Sequence, residues 1–205
     1  MQSQPRDTKR LILDAAQEML QSRSFNAFSY QDIAEVLGIR KASIHHHYAS
    51  KEELGSALVE RFIRRFQRWA TRVDEEHADP HARLLEYMRM LARIMKSDGH
   101  KICPEGIMSA EFNVLPHAMR SGLETLLNQQ RAWLTRVVAD ARQMEMFTAI
   151  GSPEEQAVLI QASMQGALQI ARATGKPEHF YVICAQLQNL LLTESHHNRI
   201  SQPTD

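Results

Sequence analysis

The chain is poor in cysteine, has no net charge and has no long apolar run. Its two cysteines, Cys103 and Cys184, are too few and too distant in sequence for a disulfide framework or a zinc knuckle. The 24 basic and 24 acidic residues exclude the global basic field of a non-specific nucleic-acid coat. No apolar stretch reaches the roughly 18 residues of a transmembrane helix, and the first ten residues are polar. We therefore expect a cytoplasmic protein without a membrane partner.

The sequence also lacks the patterns of strands and of catalytic sites. Apolar residues recur at helical spacing almost throughout the 205 residues, which predicts an all-α fold of about nine helices. No Ser/His/Asp set, paired carboxylates or Gly-rich phosphate cradle is found, so we expect no enzyme, catalytic residue or cofactor. The competing class is a helical metal-handling protein or enzyme that uses the histidines at 45–47.

What the chain does contain is a segment, residues 29–51, with signals for two short consecutive helices. Ser29 with Asp32 three residues later predicts a helix start, and Gly38 suits the left-handed conformation that ends a helix. The next helix is predicted to begin at Ile39 or Arg40. Two such helices joined by a glycine-containing turn make a helix-turn-helix, whose second helix can enter a DNA major groove.

The predicted second helix is dense in hydrogen-bond donors. Only Ala42 and Ile44 are left to hold it against its own domain, so we expect the helix to contact an anionic, acceptor-rich surface. Consecutive histidines do not predict a metal site, because neighbours on a helix point about 100° apart and cannot chelate one ion together. The donors are Arg40, Lys41, Ser43, His45, His46, His47 and Tyr48.

Residues 33–54 resemble the DNA-binding domain of the TetR family of transcriptional regulators. In that family the recognition helix ends in an aromatic-rich tripeptide, and a Ser/Thr-Lys-Glu-x-Leu element opens the next helix. His45, His46 and His47 fall on the tripeptide, where the first two positions are usually aromatic, and residues 50–54 match the element. The resemblance implies that a double-stranded DNA operator is contacted by Ser29, Gln31, Lys41, Ser43, His45, His46, His47 and Lys51.

The resemblance also implies a division into domains. Residues 1–52 would form a three-helix DNA-binding domain, residues 53–194 a larger helical effector-binding and dimerisation domain, and residues 195–205 a disordered tail. The first helix, predicted over 7–22, carries its apolar face on Ile12, Ala15, Ala16 and Met19. Later helices are predicted at 81–97, 107–112, 116–145 and 153–173, with a ninth that ends near Glu194.

The last two helices are more apolar than one core-facing stripe requires. This surplus predicts an isologous four-helix interface between two copies, and the resembled family forms dimers in this way. A dimer would also present two recognition helices to a palindromic operator. The predicted interface residues are Ile160, Met164, Leu168, Ile183, Leu187 and Leu190.

In the resembled family the fourth to eighth helices enclose a pocket for a small-molecule effector. Large or soft side chains in these helices could line such a pocket, and they could equally fill an ordinary core. The residues concerned are Phe66, Trp69, Tyr87, Met88, Leu91, Met108, Phe112, Trp133, Met164 and Gln165.

Cys103 is a second possible sensor. His100 and Lys101 would favour a reactive thiolate, Glu105 would oppose it, and the other interpretation is an inert thiol. Cys184 is assigned to packing. The predicted function is a ligand-responsive transcriptional regulator, a repressor released from its operator by an unidentified small molecule, with redox or electrophile sensing through Cys103 as the alternative.

Overall fold

The computed structural model describes residues 5–96 and 103–196. These ranges hold nine α-helices and one 3-10 helix, and the only extended pairing within them is an isolated antiparallel bridge between Phe147 and Leu192. The predicted all-α fold is confirmed. The elements are α1 (Pro5–Arg23), α2 (Tyr30–Leu37), α3 (Lys41–His47), α4 (Lys51–Glu76), α5 (Pro80–Lys96), α6 (Pro104–Ala110), η1 (Phe112–Val114), α7 (His117–Gln143), α8 (Pro153–Thr174) and α9 (Glu178–Leu191).

The described residues fall into two compact units. The first unit comprises residues 5–66 and 103–127, and the second comprises residues 67–96 and 128–196. In the first unit, α1, α2 and α3 pack through apolar side chains that include Ile33 and Ile44. The face predicted for α1 is confirmed, since its four members are all buried: Ile12, Ala15, Ala16 and Met19.

Two glycines allow α4 and α7 to pack closely within the first unit. A β-carbon on Gly55 of α4 would lie 2.4 Å from the sulfur of Met119, and one on Gly122 of α7 would lie 2.6 Å from Cγ1 of Val59. Ordinary side-chain contacts need well over 3 Å, so a larger residue at either position would require the neighbouring side chain to shift. Each helix thus places a glycine opposite a side chain of the other.

The second unit is built around the pair α8 and α9, with α5 against α8. Ser152 caps α8 in a capping box with Glu155, and Gly175 ends the helix in the left-handed conformation at φ 65°. Arg142 holds the loop before α8, because its guanidinium donates to the carbonyls of Ile150 and Gly151. These two hydrogen bonds lie at the surface and tie the loop to the end of α7.

Several predicted boundaries differ from the structure by one to three residues. The sixth helix begins at Pro104 rather than at residue 107, because proline suits the first helical turn. The ninth helix ends at Leu191, since Leu192 is extended and pairs with Phe147. Residues 194–196 form a further helical turn in which His196 is buried, so the predicted disordered tail is wrong for residues 195 and 196. Residues 197–205 lie outside the described residues.

Candidate nucleic-acid interface

The first helix of the predicted motif begins with a complete capping box. The hydroxyl oxygen of Ser29 accepts from the backbone N–H groups of Gln31 and Asp32, and the Asp32 carboxylate accepts from the backbone N–H of Ser29 at 2.8 Å. The hydrogen bonds from Ser29 hold the pKa of Asp32 below its usual range. At the other end Gly38 is left-handed, at φ 63° and ψ 33°. Both predicted ends of α2 are confirmed.

The recognition helix α3 is attached to the first unit by few residues. It begins at Lys41, with extended Arg40 as its N-cap, and Ile44 is its one residue that is fully buried. Ala42 is exposed, so the expectation that it would help hold α3 in place is wrong. Because helical residues are about 100° apart, Ala42 and His46 lie on the face opposite Ile44. These two residues therefore mark the centre of the outward face.

Tyr48, which follows α3, is not a surface donor as the sequence suggested. Its ring is buried, and the ammonium of Lys9 lies 5.2 Å from the ring centroid. The Tyr48 carbonyl accepts from the hydroxyl of Tyr30 at 3.0 Å. Burial raises the pKa of the Tyr30 hydroxyl to about 12, so this donor keeps its proton at neutral pH. The contact ties the end of α3 to α2.

The three histidines differ in environment. The ring of His45 packs edge-on against Tyr30, with 4.8 Å between centroids, and its Nδ1 lies 3.3 Å from the carbonyl oxygen of Ala49. His46 is exposed and meets the half-buried His47 at 5.3 Å between ring centroids. Burial, followed by the charges of His46 and Lys9, lowers the pKa of His47. The outward face of α3 is thus polar, and the packing beneath it holds it in place.

Lys9 belongs to this surface, although the sequence did not single it out. Its ammonium acts electrostatically on His47 as well as lying over Tyr48. Lys9 is on α1, more than 30 positions before α3, and helical periodicity gives no register between two separate helices. The sequence shows a basic residue in α1, but only the packed fold shows that this residue, Lys9, acts on His47.

Lys51 has an interior contact that the predicted phosphate role did not include. Its ammonium donates to the carbonyl of Phe28 and lies 4.8 Å and 4.7 Å from the ring centroids of Phe25 and Phe28. Burial lowers the pKa of Lys51. These contacts join the first turn of α4 to the loop before α2.

The predicted DNA contacts all lie in the first unit, on α2, on α3 or at the start of α4. On α2 the amide of Gln31 donates to the Glu35 carboxylate at 2.9 Å, so its nitrogen is already engaged in the protein alone. Five of the eight side chains are exposed, namely Ser29, Gln31, Lys41, His45 and His46, and three are half-buried, namely Ser43, His47 and Lys51. The motif thus forms one surface, with Lys51 turned partly inward.

The residues predicted to line an effector pocket are divided between the two units. Phe66, Met108 and Phe112 belong to the first unit, and the other seven belong to the second. In the second unit Trp69, Tyr87 and Trp133 are in mutual contact, with centroids 5.0 to 6.2 Å apart, and the Trp133 indole N–H donates to Asp74. These three rings pack against one another as an aromatic cluster.

The six predicted dimer-interface residues fall into a buried group and an exposed group. Four of them, Ile160, Met164, Leu168 and Leu187, are buried within the single chain and pack α8 against α9, so their assignment to a surface is corrected. Periodicity identifies an apolar stripe but not which stripe faces the core of its own chain. Ile183 and Leu190 are exposed, and they share α8 and α9 with five further exposed apolar residues: Val158, Leu159, Ile170, Tyr181 and Val182.

Cys103 is the buried N-cap residue of α6, and its thiol donates to the Glu105 carboxylate. The thiol needs its proton for this contact, so the geometry does not favour a reactive thiolate. His100 and Lys101, the basic neighbours in the sequence, lie outside the described residues. Burial raises the pKa of the Cys184 thiol to about 11, which agrees with its assignment to packing.

Neither a metal-binding cluster nor a membrane-spanning helix is found in the described part of the chain. No group of three or more His, Cys, Asp or Glu residues able to hold an ion occurs in residues 5–96 and 103–196. Within the same ranges, every helix is too short or too polar to cross a bilayer.

Comparison with known proteins agrees with the geometry of this motif. A family model described as bacterial regulatory proteins, tetR family, matches residues 12–58, and one described as tetracyclin repressor-like, C-terminal domain, matches residues 80–187. The HTH-type transcriptional repressor NemR of Escherichia coli K12 is 24% identical over 189 residues, which is 91% of this chain and 95% of NemR.

Solved structures show the same fold. A TetR-family regulator from Agrobacterium tumefaciens has a TM-score of 0.89 at 26% identity, covering 93% of this chain and 100% of that one. The reduced form of E. coli NemR has a TM-score of 0.79 at 23% identity, covering 91% and 98%. Because the two family models cover most of the sequence, the chain belongs to the TetR family and is a DNA-binding transcriptional regulator.

Proposed function

We propose that the protein is a cytoplasmic, homodimeric repressor that binds a palindromic operator and is released from it by a small molecule. Residues 1–52 would read DNA, and residues 53–194 would bind the effector and form the dimer. The observation that carries the proposal is α3, a helix with one fully buried residue and an outward face of hydrogen-bond donors. The name of the similar NemR, a transcriptional repressor, supports repression rather than activation.

The outward face of α3 has the chemistry that base edges require. His46 at its centre can donate to a purine acceptor, and Ala42 beside it carries a methyl group that can pack against the methyl group of thymine. Lys41 is exposed in the first turn of α3, where the helix dipole also favours an anion, so we assign it to a phosphate. Ser43 and His45 lie on either side of this outward face, and Ser29 and Gln31 would approach the DNA from the start of α2.

A second copy would cover the exposed apolar surface of α8 and α9. Leu159 and Leu190 are 43% and 49% exposed, and with Ile150 they border a groove of about 290 Å³. Contiguous exposed apolar surface of this kind marks an interaction site in a soluble protein. An isologous pairing would bury it and would supply the two reading helices that a palindrome needs.

Release by an effector would be a population shift. A ligand that binds better when the two recognition helices are wrongly spaced draws the dimer away from its operator. The second unit supplies the aromatic and methionine side chains suited to an apolar or amphipathic ligand. Such a ligand should raise the melting temperature in a concentration-dependent way and should change the fluorescence of Trp69 or Trp133.

The experiment that tests the proposal is selection of operator DNA from a random library, followed by comparison of two lysine variants on the selected DNA. Lys41→Ala should weaken operator and random DNA equally and reduce the salt slope by about 1, without changing the melting temperature. Lys51→Ala should instead lower the melting temperature, because it removes the contacts with Phe25 and Phe28. Selection that yields no enriched palindrome, or Lys41→Ala with unaltered affinity and salt slope, would contradict the proposal.

A further inference from the structure

The second unit contains a buried histidine pair outside the DNA-binding surface. His81, in the first turn of α5, is 5% exposed, and His196, in the turn after α9, is 7% exposed. The Nε2 atom of His196 lies 3.4 Å from the Nδ1 atom of His81, and the two ring planes are nearly perpendicular. At this distance, at the long end of the hydrogen-bond range, one ring nitrogen must carry a hydrogen and the other must be bare.

The pair joins segments that are far apart in sequence. The segment after α9 is held to the loop before α8 by backbone bonds, with the N–H of Thr193 donating to Met146 and the N–H of Thr148 donating to Leu191. The ring of Phe147, in that loop, faces the ring of His81 at 6.3 Å between centroids. The histidine pair therefore connects this paired region to the first turn of α5.

Little around the pair would stabilise a positive charge. Phe147 covers one side of His81, and Gln188 of α9, which is uncharged, lies beside it. Asp79 is a charged neighbour of His81, and its carboxylate accepts from the backbone N–H of His81 at 2.9 Å. Burial, only partly opposed by Gln188 and Asp79, lowers the pKa of His81, and the second imidazole lowers it further.

We propose that His81 and His196 form a latch operated by protons, which holds the segment after α9 against the start of α5 at neutral pH and opens in acid. Two protonated rings would point N–H groups at each other, so full protonation removes the hydrogen bond as well as placing charge in an apolar site. Once the latch opens, both imidazoles reach water, where the ordinary pKa of a histidine is about 6.5.

The direction of the pH effect on closure follows from the number of protons that each state binds. The closed pair binds fewer protons than the open one, so closure is complete above about pH 6.5 and is lost as pH falls below that value. Each proton that the open pair binds and the closed pair cannot hold contributes up to about tenfold for every pH unit below 6.5. One or two such protons raise the open population at pH 5.5 by about tenfold to a hundredfold over pH 7.5. The latch lies within the second unit and does not depend on the proposed operator or effector.

Amide hydrogen exchange of the full chain between pH 7.5 and 5.5, divided by the intrinsic chemical rate, tests the latch. The amides of Thr148, Thr193 and His196, which are bonded within this region, should open about tenfold to a hundredfold more often at the lower pH. His81→Phe or His196→Phe should halve this dependence on a logarithmic scale, and the double variant should abolish it. His179→Phe, at the opposite end of α9, is the matched control and should keep it.

Opening that does not change with pH in the wild type, or that keeps its pH dependence in the double variant, would overturn the latch. An imidazole titration by NMR covers the case in which the variants do not fold. In the wild type, the titration midpoint of the buried His81 should lie below the ordinary histidine value. Titration of His81 at the ordinary value would also overturn the proposal.

Discussion

The two units expose opposite kinds of surface. In the first, the outward face of α3 is polar while Ile44 beneath it is buried. In the second, α8 and α9 bury one apolar stripe and expose another, which includes Leu159 and Leu190. A polar face suits hydrated phosphates and base edges, whereas an apolar face suits another apolar surface. The difference supports the proposed partners, DNA for the first unit and a second copy for the second.

The largest expected effect comes from two leucines that lie three positions apart on α9. Leu187 is buried and Leu190 is 49% exposed. Leu187→Arg should lower the free energy of unfolding by about 3 to 5 kcal/mol, because it buries an unpaired charge. Leu190→Arg should leave unfolding almost unchanged and should produce monomers. Thermal melts measure the stability, and sedimentation measures the oligomeric state. A stable dimer in the Leu190→Arg variant would contradict the assignment of the exposed surface of α8 and α9 to a second copy.

The next effect concerns base reading by the polar face. His46→Ala should weaken operator binding by about 1 to 3 kcal/mol and random DNA by much less, because His46 lies opposite the buried Ile44 and faces outward. His117→Ala, which removes an exposed histidine from the start of α7, is the matched control. Equal losses on both DNAs would reassign His46 from a base to a phosphate.

Much of the first unit could be predicted because its signals are local. The capping box of Ser29 and Asp32 and the left-handed Gly38 each involve residues a few positions apart, so their geometry follows from short-range chemistry. The positions of Lys9 over Tyr48 and of His196 against His81 could not be predicted. Each is a contact between distant elements, whose register depends on the packed fold.

Prediction failed in the second unit for a related reason. Ile160 and Leu187 have the same apolar character and helical spacing as exposed Leu159 and Leu190, and only packing decides which stripe of a two-sided helix is buried. The inward turn of Lys51 was missed similarly, because the target of its ammonium is a carbonyl 23 positions away.

A smaller effect separates folding from DNA contact at Ser29. Ser29→Ala should reduce the free energy of unfolding by about 1 kcal/mol, because two backbone N–H groups lose their acceptor, whereas Ser29→Asn should preserve the cap. Chemical denaturation gives the stability, and operator titration gives the affinity. If Ser29 also touches DNA, both variants should lose affinity although only one loses stability. Full affinity in the asparagine variant would restrict Ser29 to its capping role.

The smallest expected effect is a pH dependence of DNA binding. The pKa of His47 is lowered in the protein alone, and a nearby phosphate would raise it, so the DNA complex should hold more protons. Affinity should therefore rise by about three- to fivefold as pH falls from 8 to 6. His47→Ala should remove the rise, and operator titrations at several pH values measure it. A flat profile in the wild type would exclude protonation of His47 on binding.

The attachment of α3 through Ile44 has a consequence for how such regulators diversify. The outward positions, Ala42 and His46 among them, contribute little to folding, so substitutions there can accumulate without loss of the fold. A duplicated copy of the gene can therefore acquire a different operator by a few surface changes while its core stays the same. In this fold the residues proposed to read DNA are therefore weakly constrained by stability.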